Sequence, residues 1–184
     1  MEQYYNIEDL ISKYDNGEKL RYLFFWGHKP SSDGTILKTC LSQWFDCYFS
    51  VDGFTYNTAE QYMMCQKALL FNDEETFKRI LQASHPSEFK NLGRLVKNFN
   101  PTIWDKHKFE IVVKGNLAKF SQNPQLKNFL LSTGDKVLVE ASPYDKIWGI
   151  GLRYNTSNIE NPHTWKGLNL LGFALMQVRK ELFF

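Results

Sequence analysis

Short apolar runs at three places along the chain predict β-strands. The aromatic run within residues 22–30 ends in glycine and proline, which predicts a strand that leads into a loop. In residues 47–56, the pair Asp52-Gly53 lies between aromatic and β-branched flanks, a pattern typical of a β-hairpin. Residues 136–141 alternate between polar and apolar side chains, as a half-buried strand does. We expect these segments to form a small antiparallel sheet.

Helical patterns occupy most of the remaining chain, and several begin at recognisable capping signals. Thr58 and Gln61 have the spacing of a capping box. Asn-Pro pairs at 100–101 and 123–124 place an N-cap residue before a proline in the first turn. The predicted helices cover about residues 59–71, 73–82, 86–96, 101–120, 124–132 and 167–182.

The sequence therefore predicts an α+β fold that is mostly α-helical. Residues 1–20 are polar and have a weak helical pattern, so we expect them to form an N-terminal appendage. No repeat, low-complexity tract or linker divides residues 21–184, which we expect to form a single domain. The total of 184 residues agrees with one domain of ordinary size.

Composition and charge exclude several classes of protein. The 22 Lys and Arg against 20 Asp and Glu give a net charge of +2, whereas a general polyanion binder is usually far more basic, so composition does not suggest one. Three cysteines without a C-x-x-C motif and only four histidines argue against a structural zinc site, so we expect no metal and no cofactor. The chain has neither a signal-peptide pattern nor 18 consecutive apolar residues, and its odd cysteine count fits reduced thiols in the cytoplasm. Its 15 Phe, 9 Tyr and 5 Trp are numerous enough to line a ligand pocket as well as a core.

The helix at residues 59–71 carries the strongest chemical signal. Its apolar side chains point in every direction, so the helix is expected to be buried, yet Glu60 and Lys67 lie within ~20° of each other on its wheel. An unpaired charge is costly to bury. In one interpretation the lysine reaches back toward the carboxylate, about 10 Å away along the axis, and a ligand lies between them. In the other, Glu60 binds the first-turn amides and Lys67 extends to the surface.

The long helix gives a second, weaker signal. Trp104, Lys108 and Gly115 share a flank that lies away from its apolar stripe, so Trp104 faces either a ligand or another element. Residues 97–119 contain five lysines and two acids, an excess that either meets a phosphate or forms a solvated face.

The loop over residues 142–153 gives a third signal. It brings together Asp145, Trp148, Gly149 and Gly151, which are suited to recognition of a flat ring or a sugar. Glycine-rich turns with a packed tryptophan are also common in proteins without such a site.

Seven blocks of sequence, in order from about Tyr22 to Leu182, resemble the NADAR/YbiA-like family. They are F-W-G-H (25–28), L-S-Q-W-F (41–45), Y-N-T-A-E-Q-Y-M-M-C-Q-K (56–67), L-G-R (92–94), W-D-K-H-K-F-E (104–110), L-V-E-A-S-P-Y-D-K-I-W-G-I-G (138–151) and L-N-L-L-G-F-A-L-M-Q-V-R (168–179). Because several spaced blocks agree, the resemblance is specific. It implies that residues 21–184 form a YbiA-like catalytic domain.

The resemblance implies an N-glycosidase, which cleaves the bond between a ribose C1 and a nitrogen. The implied substrate is ADP-ribose attached to guanine in nucleic acid or nucleoside, and an ADP-ribosyltransferase toxin is a candidate partner. Two alternatives remain open: hydrolysis of ribosylamino-pyrimidine phosphates in riboflavin biosynthesis, and binding of NAD or ADP-ribose without catalysis.

The resemblance also implies roles for individual residues. The implied catalytic residues are Glu60, Lys67 and Asp145. The implied substrate-binding residues are Phe25, Trp26, Gly27, Trp44, Arg94, Trp104, Lys108, Trp148, Gly149 and Asn169. Within this set, Trp104, Asp145 and Trp148 are expected to share a pocket, the two tryptophans to stack on a base, and Arg94 or Lys108 to hold a phosphate.

Two positions depart from the family pattern. Gln43 occupies a position where many relatives have asparagine, which keeps the amide but lengthens the side chain. Gln61 follows Glu60 where relatives commonly have histidine, so no role that needs an imidazole is transferred to it.

The chemistry of this reaction explains why these residue types are suitable. Positive charge develops on the ribose as the bond breaks, and the leaving nitrogen takes up a proton, tasks that Glu60 and Asp145 can serve. In an apolar site the pKa of a lysine falls, and the neutral amine of Lys67 can then attack C1 and form a Schiff base. We expect Lys67 to be the nucleophile and Glu60 its partner in proton transfer.

Overall fold

The computed structural model describes residues 6–183, so residues 1–5 of the expected appendage and residue 184 of the expected domain lie outside it. Its helices and strands confirm the predicted fold class, α+β and mostly α-helical. They are α1 (Ile7–Asp15), β1 (Tyr22–Phe25), β2 (Phe49–Val51), β3 (Phe54–Tyr56), α2 (Ala59–Leu70), α3 (Glu74–Gln82), α4 (Pro86–Arg94), α5 (Pro101–Gln122), α6 (Pro124–Ser132), β4 (Val137–Glu140) and α7 (Leu170–Phe183). Short 3₁₀ turns lie at Lys38–Leu41 and Pro162–Thr164.

The contacts divide the chain into two compact units. The terminal unit comprises residues 1–42 and 125–184, and the central unit comprises residues 43–124. None of the helices in the described part of the chain combines the length and the apolar character needed to cross a bilayer.

In the terminal unit, β1 and β4 pair in parallel, with Tyr22 opposite Val137 and Phe25 opposite Glu140. The sequence predicted strands here but assigned them to an antiparallel sheet. The solvent exposure explains the difference: three consecutive residues of β4, Val137 to Val139, are 0% exposed, and burial on both faces is characteristic of parallel strands. Helix α7 packs against β4.

Helix α1 also belongs to the terminal unit. Asn6 caps it by accepting a hydrogen bond from the backbone N of Asp9 at 2.9 Å. Leu10 is 0% exposed, and the helix packs against the turn at Pro162–Thr164. The weak helical pattern of the first 20 residues therefore corresponds to a packed helix.

In the central unit, β2 and β3 form the predicted antiparallel hairpin. Asp52 and Gly53 connect the strands with φ angles of 52° and 83°, as a two-residue turn with both residues left-handed requires. Helix α2 packs against α3, α4 and α5. The antiparallel sheet of the prediction is thus confined to this hairpin.

The predicted starts of the helices are more accurate than their ends. Helices α4, α5 and α6 begin at their prolines, as predicted. Helix α5 continues two residues beyond the predicted end. Helix α7 begins later than about residue 167, because Asn169 has a φ of 54° and interrupts the helix there.

Candidate active site

The N-terminus of α2 is capped by two polar side chains. The Thr58 hydroxyl accepts a hydrogen bond from the backbone N of Gln61 at 3.0 Å, and the Gln61 Oε1 accepts one from the backbone N of Asn57 at 2.9 Å. These two side chains form the predicted capping interaction.

Gln61 has a second structural contact. Its Nε2 donates a hydrogen bond to the backbone oxygen of Ile80 in α3 at 3.0 Å, and the residue is 3% exposed. Both ends of the amide are used to connect helix α2 with its surroundings. Glutamine at this position thus has a complete structural role.

Glu60 lies in the first turn of α2 and is 5% exposed. Its backbone N donates a hydrogen bond to the backbone oxygen of Gln43 at 2.9 Å. The carboxylate is accordingly placed on the buried first turn, beside the segment that contains Gln43 and Trp44.

A buried amide pair lies next to this turn. The Nδ2 of Asn116 on α5 donates a hydrogen bond to the Oε1 of Gln43 at 2.7 Å and another to the backbone oxygen of Val112. Both amides are buried, and within residues 6–183 the Gln43 Nε2 and the Asn116 Oδ1 have no hydrogen-bond partner. Buried polar atoms are normally hydrogen-bonded, so these two atoms are exceptions within the interior of the central unit. Asn116 was not predicted from the sequence, and its signal there is a spacing of three or four residues from the buried Val112, Val113 and Phe120 of α5.

Lys67, one turn from the end of α2, has its amine enclosed by a carbonyl and two aromatic rings. The Nζ donates a hydrogen bond to the backbone oxygen of Gly93 in α4 at 2.7 Å. It lies 4.1 Å from the ring centroid of Phe99 and 5.7 Å from that of Trp104. The amine is thus held by a carbonyl of α4, and the expectation that a ligand lies between Lys67 and Glu60 stays a prediction.

Close packing between α2 and α4 explains this contact. A Cβ on Gly93 would lie 2.1 Å from the sulfur of Met64, so the absence of a side chain lets the two backbones approach. The Gly93 carbonyl is thereby within reach of the lysine.

Desolvation determines the charge state of Lys67. Burial lowers the pKa of its amine below the usual 10.5, and within the described residues the amine forms no ion pair that would oppose this change. Phe99, which the sequence analysis missed, contributes most of the aromatic cover. Its position in the turn between α4 and α5 gives no periodic signal.

The remaining candidates of the central unit are less enclosed. Lys108 pairs with Asp105, with Nζ 2.6 Å from Oδ1, on the same helix as Trp104. The Lys90 amine lies 6.0 Å from the ring centroid of Trp44. Arg94 is exposed, and its Nη1 makes a long hydrogen bond of 3.5 Å to the Asn91 Oδ1.

Gly115 on α5 packs against α2. A Cβ on Gly115 would lie 2.4 Å from the Cδ1 of Tyr62 in α2. The group that lies close to this glycine is therefore a neighbouring side chain.

In the terminal unit, Asp145 stabilises its own loop. Its Oδ1 accepts hydrogen bonds from the backbone N atoms of Ile147 at 2.8 Å and Trp148 at 2.7 Å. Gly149 is tightly packed, because a Cβ there would lie 2.8 Å from the backbone oxygen of Glu140. The loop is rigidly built, and the catalytic role of Asp145 stays a prediction.

Asn169 and Phe25 have structural environments. The Asn169 Oδ1 accepts a hydrogen bond from the backbone N of Glu140, its Nδ2 donates one to the backbone oxygen of Leu138, and the residue is 0% exposed. Phe25 is 1% exposed. Asn169 thus connects the segment before α7 with β4, and the substrate contacts expected from Phe25 and Asn169 stay predictions.

Trp26 and Gly27 directly follow Phe25 at the end of β1. Trp26 is 45% exposed, and Gly27 turns the chain with a φ of 85° that favours glycine.

The described residues contain no group of three or more His, Cys, Asp or Glu side chains that could hold a metal ion.

Residues 24–183 match the model of the NADAR domain family. The chain is 51% identical over 166 residues to N-glycosidase R617 of Acanthamoeba polyphaga mimivirus, covering 88% of this chain and 96% of that protein. It is 35% identical to the maize chloroplastic riboflavin biosynthesis protein PYRR, over 71% of this chain but only 20% of that protein. The NMR structure of the Escherichia coli protein YbiA matches with a TM-score of 0.69 and 29% identity, over 90% of this chain and 86% of that chain.

Proposed function

The chain belongs to the NADAR domain family and is an N-glycosidase, a hydrolase of N-glycosyl bonds, and from this premise we propose that its substrate is ADP-ribose attached to guanine. The central observation is the amine of Lys67, which is desolvated, hydrogen-bonded to a single carbonyl and covered by Phe99 and Trp104. Burial lowers the pKa of this amine below 10.5, which increases the fraction of the neutral, nucleophilic form at a given pH.

The proposed reaction begins with attack of the neutral Lys67 Nζ on C1 of the ribose. A C–N bond to lysine forms, the C1–guanine bond breaks, and the guanine nitrogen leaves with a proton. Opening of the sugar ring then gives a Schiff base between Lys67 and C1, which water hydrolyses to release the sugar and the amine. The protons balance, since the amine gives one proton to the leaving base during displacement and its second proton to the ring oxygen when the sugar ring opens. Glu60, buried on the same helix, is the proposed carrier of the proton that the base receives.

The substrate has aromatic, phosphate and sugar portions that suit the proposed contacts. Trp104 is a platform for a flat ring, and Lys108 or Arg94 supplies charge for a phosphate. Phosphate binding by Lys108 would replace its present pairing with Asp105.

A second candidate is a ribosylamino-pyrimidine phosphate of riboflavin biosynthesis. The similarity to PYRR favours it, but that similarity covers only a fifth of the PYRR protein, whereas the match to R617 covers nearly all of that relative. Binding without catalysis does not agree with membership among the N-glycosidases.

The direct test is to add cyanoborohydride during turnover of ADP-ribosylated guanosine. Cyanoborohydride reduces the Schiff base to a stable amine. We expect a covalent sugar adduct on Lys67, identified by peptide mass spectrometry. The Lys67→Met variant should form no adduct. Its kcat should fall at least about 10³-fold, because the nucleophile is absent.

Lys78→Ala is the matched control, since Lys78 is an exposed helical lysine in a 4.0 Å ion pair with Glu74. It should keep both the adduct and the activity. Turnover without an adduct, with Lys67→Met still active, would instead support direct attack by water. Release of the base only from the ribosylamino-pyrimidine phosphate would identify the second candidate as the substrate.

A further inference from the structure

Two aromatic side chains of the terminal unit form an exposed pair at the ends of the parallel strands. Trp26 is 45% exposed and Tyr144 is 79% exposed, and their ring centroids are 6.1 Å apart with an interplanar angle of 53°. Large aromatic residues of a stable fold are usually buried for most of their surface. Two such rings side by side in solvent are therefore suited to a ligand that covers them.

The backbone holds both rings at one edge of the strand pair. Trp26 immediately follows β1, and Tyr144 lies four residues after the end of β4, which pairs with β1 in parallel. The Ser142 hydroxyl accepts hydrogen bonds from the backbone N atoms of Tyr144 and Asp145, both at 3.3 Å. The edge outside the carboxyl ends of parallel strands is where ligands commonly bind in α/β proteins.

Basic side chains are attached to the same edge. The Lys38 amine donates a hydrogen bond to the backbone oxygen of Phe24, two residues before Trp26, at 2.9 Å. It also lies 5.9 Å from the ring centroid of Tyr154, which is 64% exposed. The surface thus combines a cation with a third exposed ring.

Two more lysines belong to the loop that follows Tyr144. A Cβ on Gly151 would lie 3.1 Å from the Cβ of Lys166 and 3.2 Å from the Cγ of Lys146, so both side chains flank this glycine. Both are exposed. The nearest carboxylate in sequence, that of Asp145, is directed to backbone N atoms of its own loop.

We propose that Trp26, Tyr144 and Tyr154, together with Lys38, bind a single strand of nucleic acid, with its bases stacked on the rings and its phosphates near the lysine. We call these four residues the stacking surface. Exposed rings interleaved with cations are the chemistry of single-strand binding, since every base has a π-face and every linkage a negative charge. A duplex would not fit, because its bases are stacked on one another.

One part of the proposal rests on the proposed function, namely that the bound strand carries the ADP-ribosylated guanine. Binding of an unmodified strand is a separate property and can be measured without turnover. The two proposals can therefore fail independently.

The test measures binding of a fluorescein-labelled 12-nucleotide oligodeoxythymidine by anisotropy. Tyr144→Ala should weaken binding about tenfold, because one stacked base is lost, whereas Tyr144→Phe should bind like the wild type. Lys38→Gln should weaken binding and reduce its salt dependence by about one phosphate contact. Tyr48→Ala is the matched control, since Tyr48 is 75% exposed and belongs to the central unit.

A second arm compares substrates. In Tyr144→Ala, kcat/KM for an ADP-ribosylated guanine within an oligonucleotide should fall about tenfold further than kcat/KM for ADP-ribosylated guanosine. Equal losses on both would overturn the proposal, because the rings would then hold the ADP-ribosyl group. Unchanged oligonucleotide binding in Tyr144→Ala, or equal binding of a duplex, would overturn it as well. Weakened strand binding without turnover of any guanine substrate would refute the proposed function alone.

Discussion

Lys67 shows how one side chain changes its chemistry through its neighbours. On the sequence it is a cation near the end of a helix, but in the fold its amine has one carbonyl and two rings as partners. Gln61 shows the opposite outcome. Both ends of its side-chain amide are used for capping and for a bond to α3. Residue type alone did not distinguish these outcomes, because each depends on groups that are distant along the chain.

The lowered pKa of Lys67 predicts a pH dependence. The neutral amine is the reactive form, so kcat/KM should rise with pH and level off at a pKa below 10.5. Phe99→Ala should admit water to the amine and raise the pKa of Lys67 toward 10.5. The rise of kcat/KM should then occur at higher pH. Phe99→Leu keeps an apolar side chain over the amine. In this variant kcat/KM should rise at the same pH as in the wild type or at a lower pH.

The same pKa can be read without substrate from the pH dependence of Lys67 acetylation by acetic anhydride, followed by peptide mass spectrometry. Leu95→Ala is the control, since Leu95 lies in the same turn and is 62% exposed. An unchanged labelling curve in Phe99→Ala would show that the ring does not control the pKa of the amine.

Helix α2 is the element on which the candidate chemistry depends. Its start is determined by local capping, whereas its position is determined by close packing with α4 at Gly93 and with α5 at Gly115. Both glycines lie within helices, where glycine is intrinsically unfavourable. The packing of α2 is therefore the reason for glycine at these positions.

Gly115→Ala should destabilise the protein by about 1–3 kcal/mol, because the new methyl group overlaps the Tyr62 ring. In a helix without this neighbour, the same change stabilises by about 1 kcal/mol. Urea unfolding measures the sign directly. In the double variant Gly115→Ala/Tyr62→Leu, the loss should be smaller than the sum of the single changes. A stabilised Gly115→Ala protein would contradict the packing described for α2.

At the scale of the whole molecule, the sequence predicted most helices and strands. It did not predict which element each of them pairs with or packs against. The helix starts and the hairpin follow from capping residues and turn residues, which act within a few positions. The parallel pairing of β1 with β4 joins segments more than a hundred residues apart, and no local pattern encodes it. The same holds for α1, whose polar sequence suggested an appendage although Leu10 is fully buried.

Leu10→Ala should lower the free energy of unfolding by about 2–5 kcal/mol if α1 is an integral part of the fold, because a buried side chain leaves a cavity. Ser12→Ala is the control, since Ser12 lies on the same helix and is exposed. Thermal or urea unfolding followed by circular dichroism gives the difference. Unchanged stability of Leu10→Ala would show that residues 7–15 are a detachable appendage.

The sequence by itself determined the fold class, the family, the capped helices and the presence of an acid and a lysine on one buried helix. These features depend on local periodicity, on capping residues and on short sequence motifs. Each of these can be recognised from a few residues along the chain. Only the tertiary structure decided that the lysine binds the Gly93 carbonyl beneath Phe99, that Asn169 and Asp145 support loops, and that Trp26 meets Tyr144 in solvent. The physical reason is that such contacts join residues remote along the chain, so burial and backbone approach, rather than residue type, determine their chemistry.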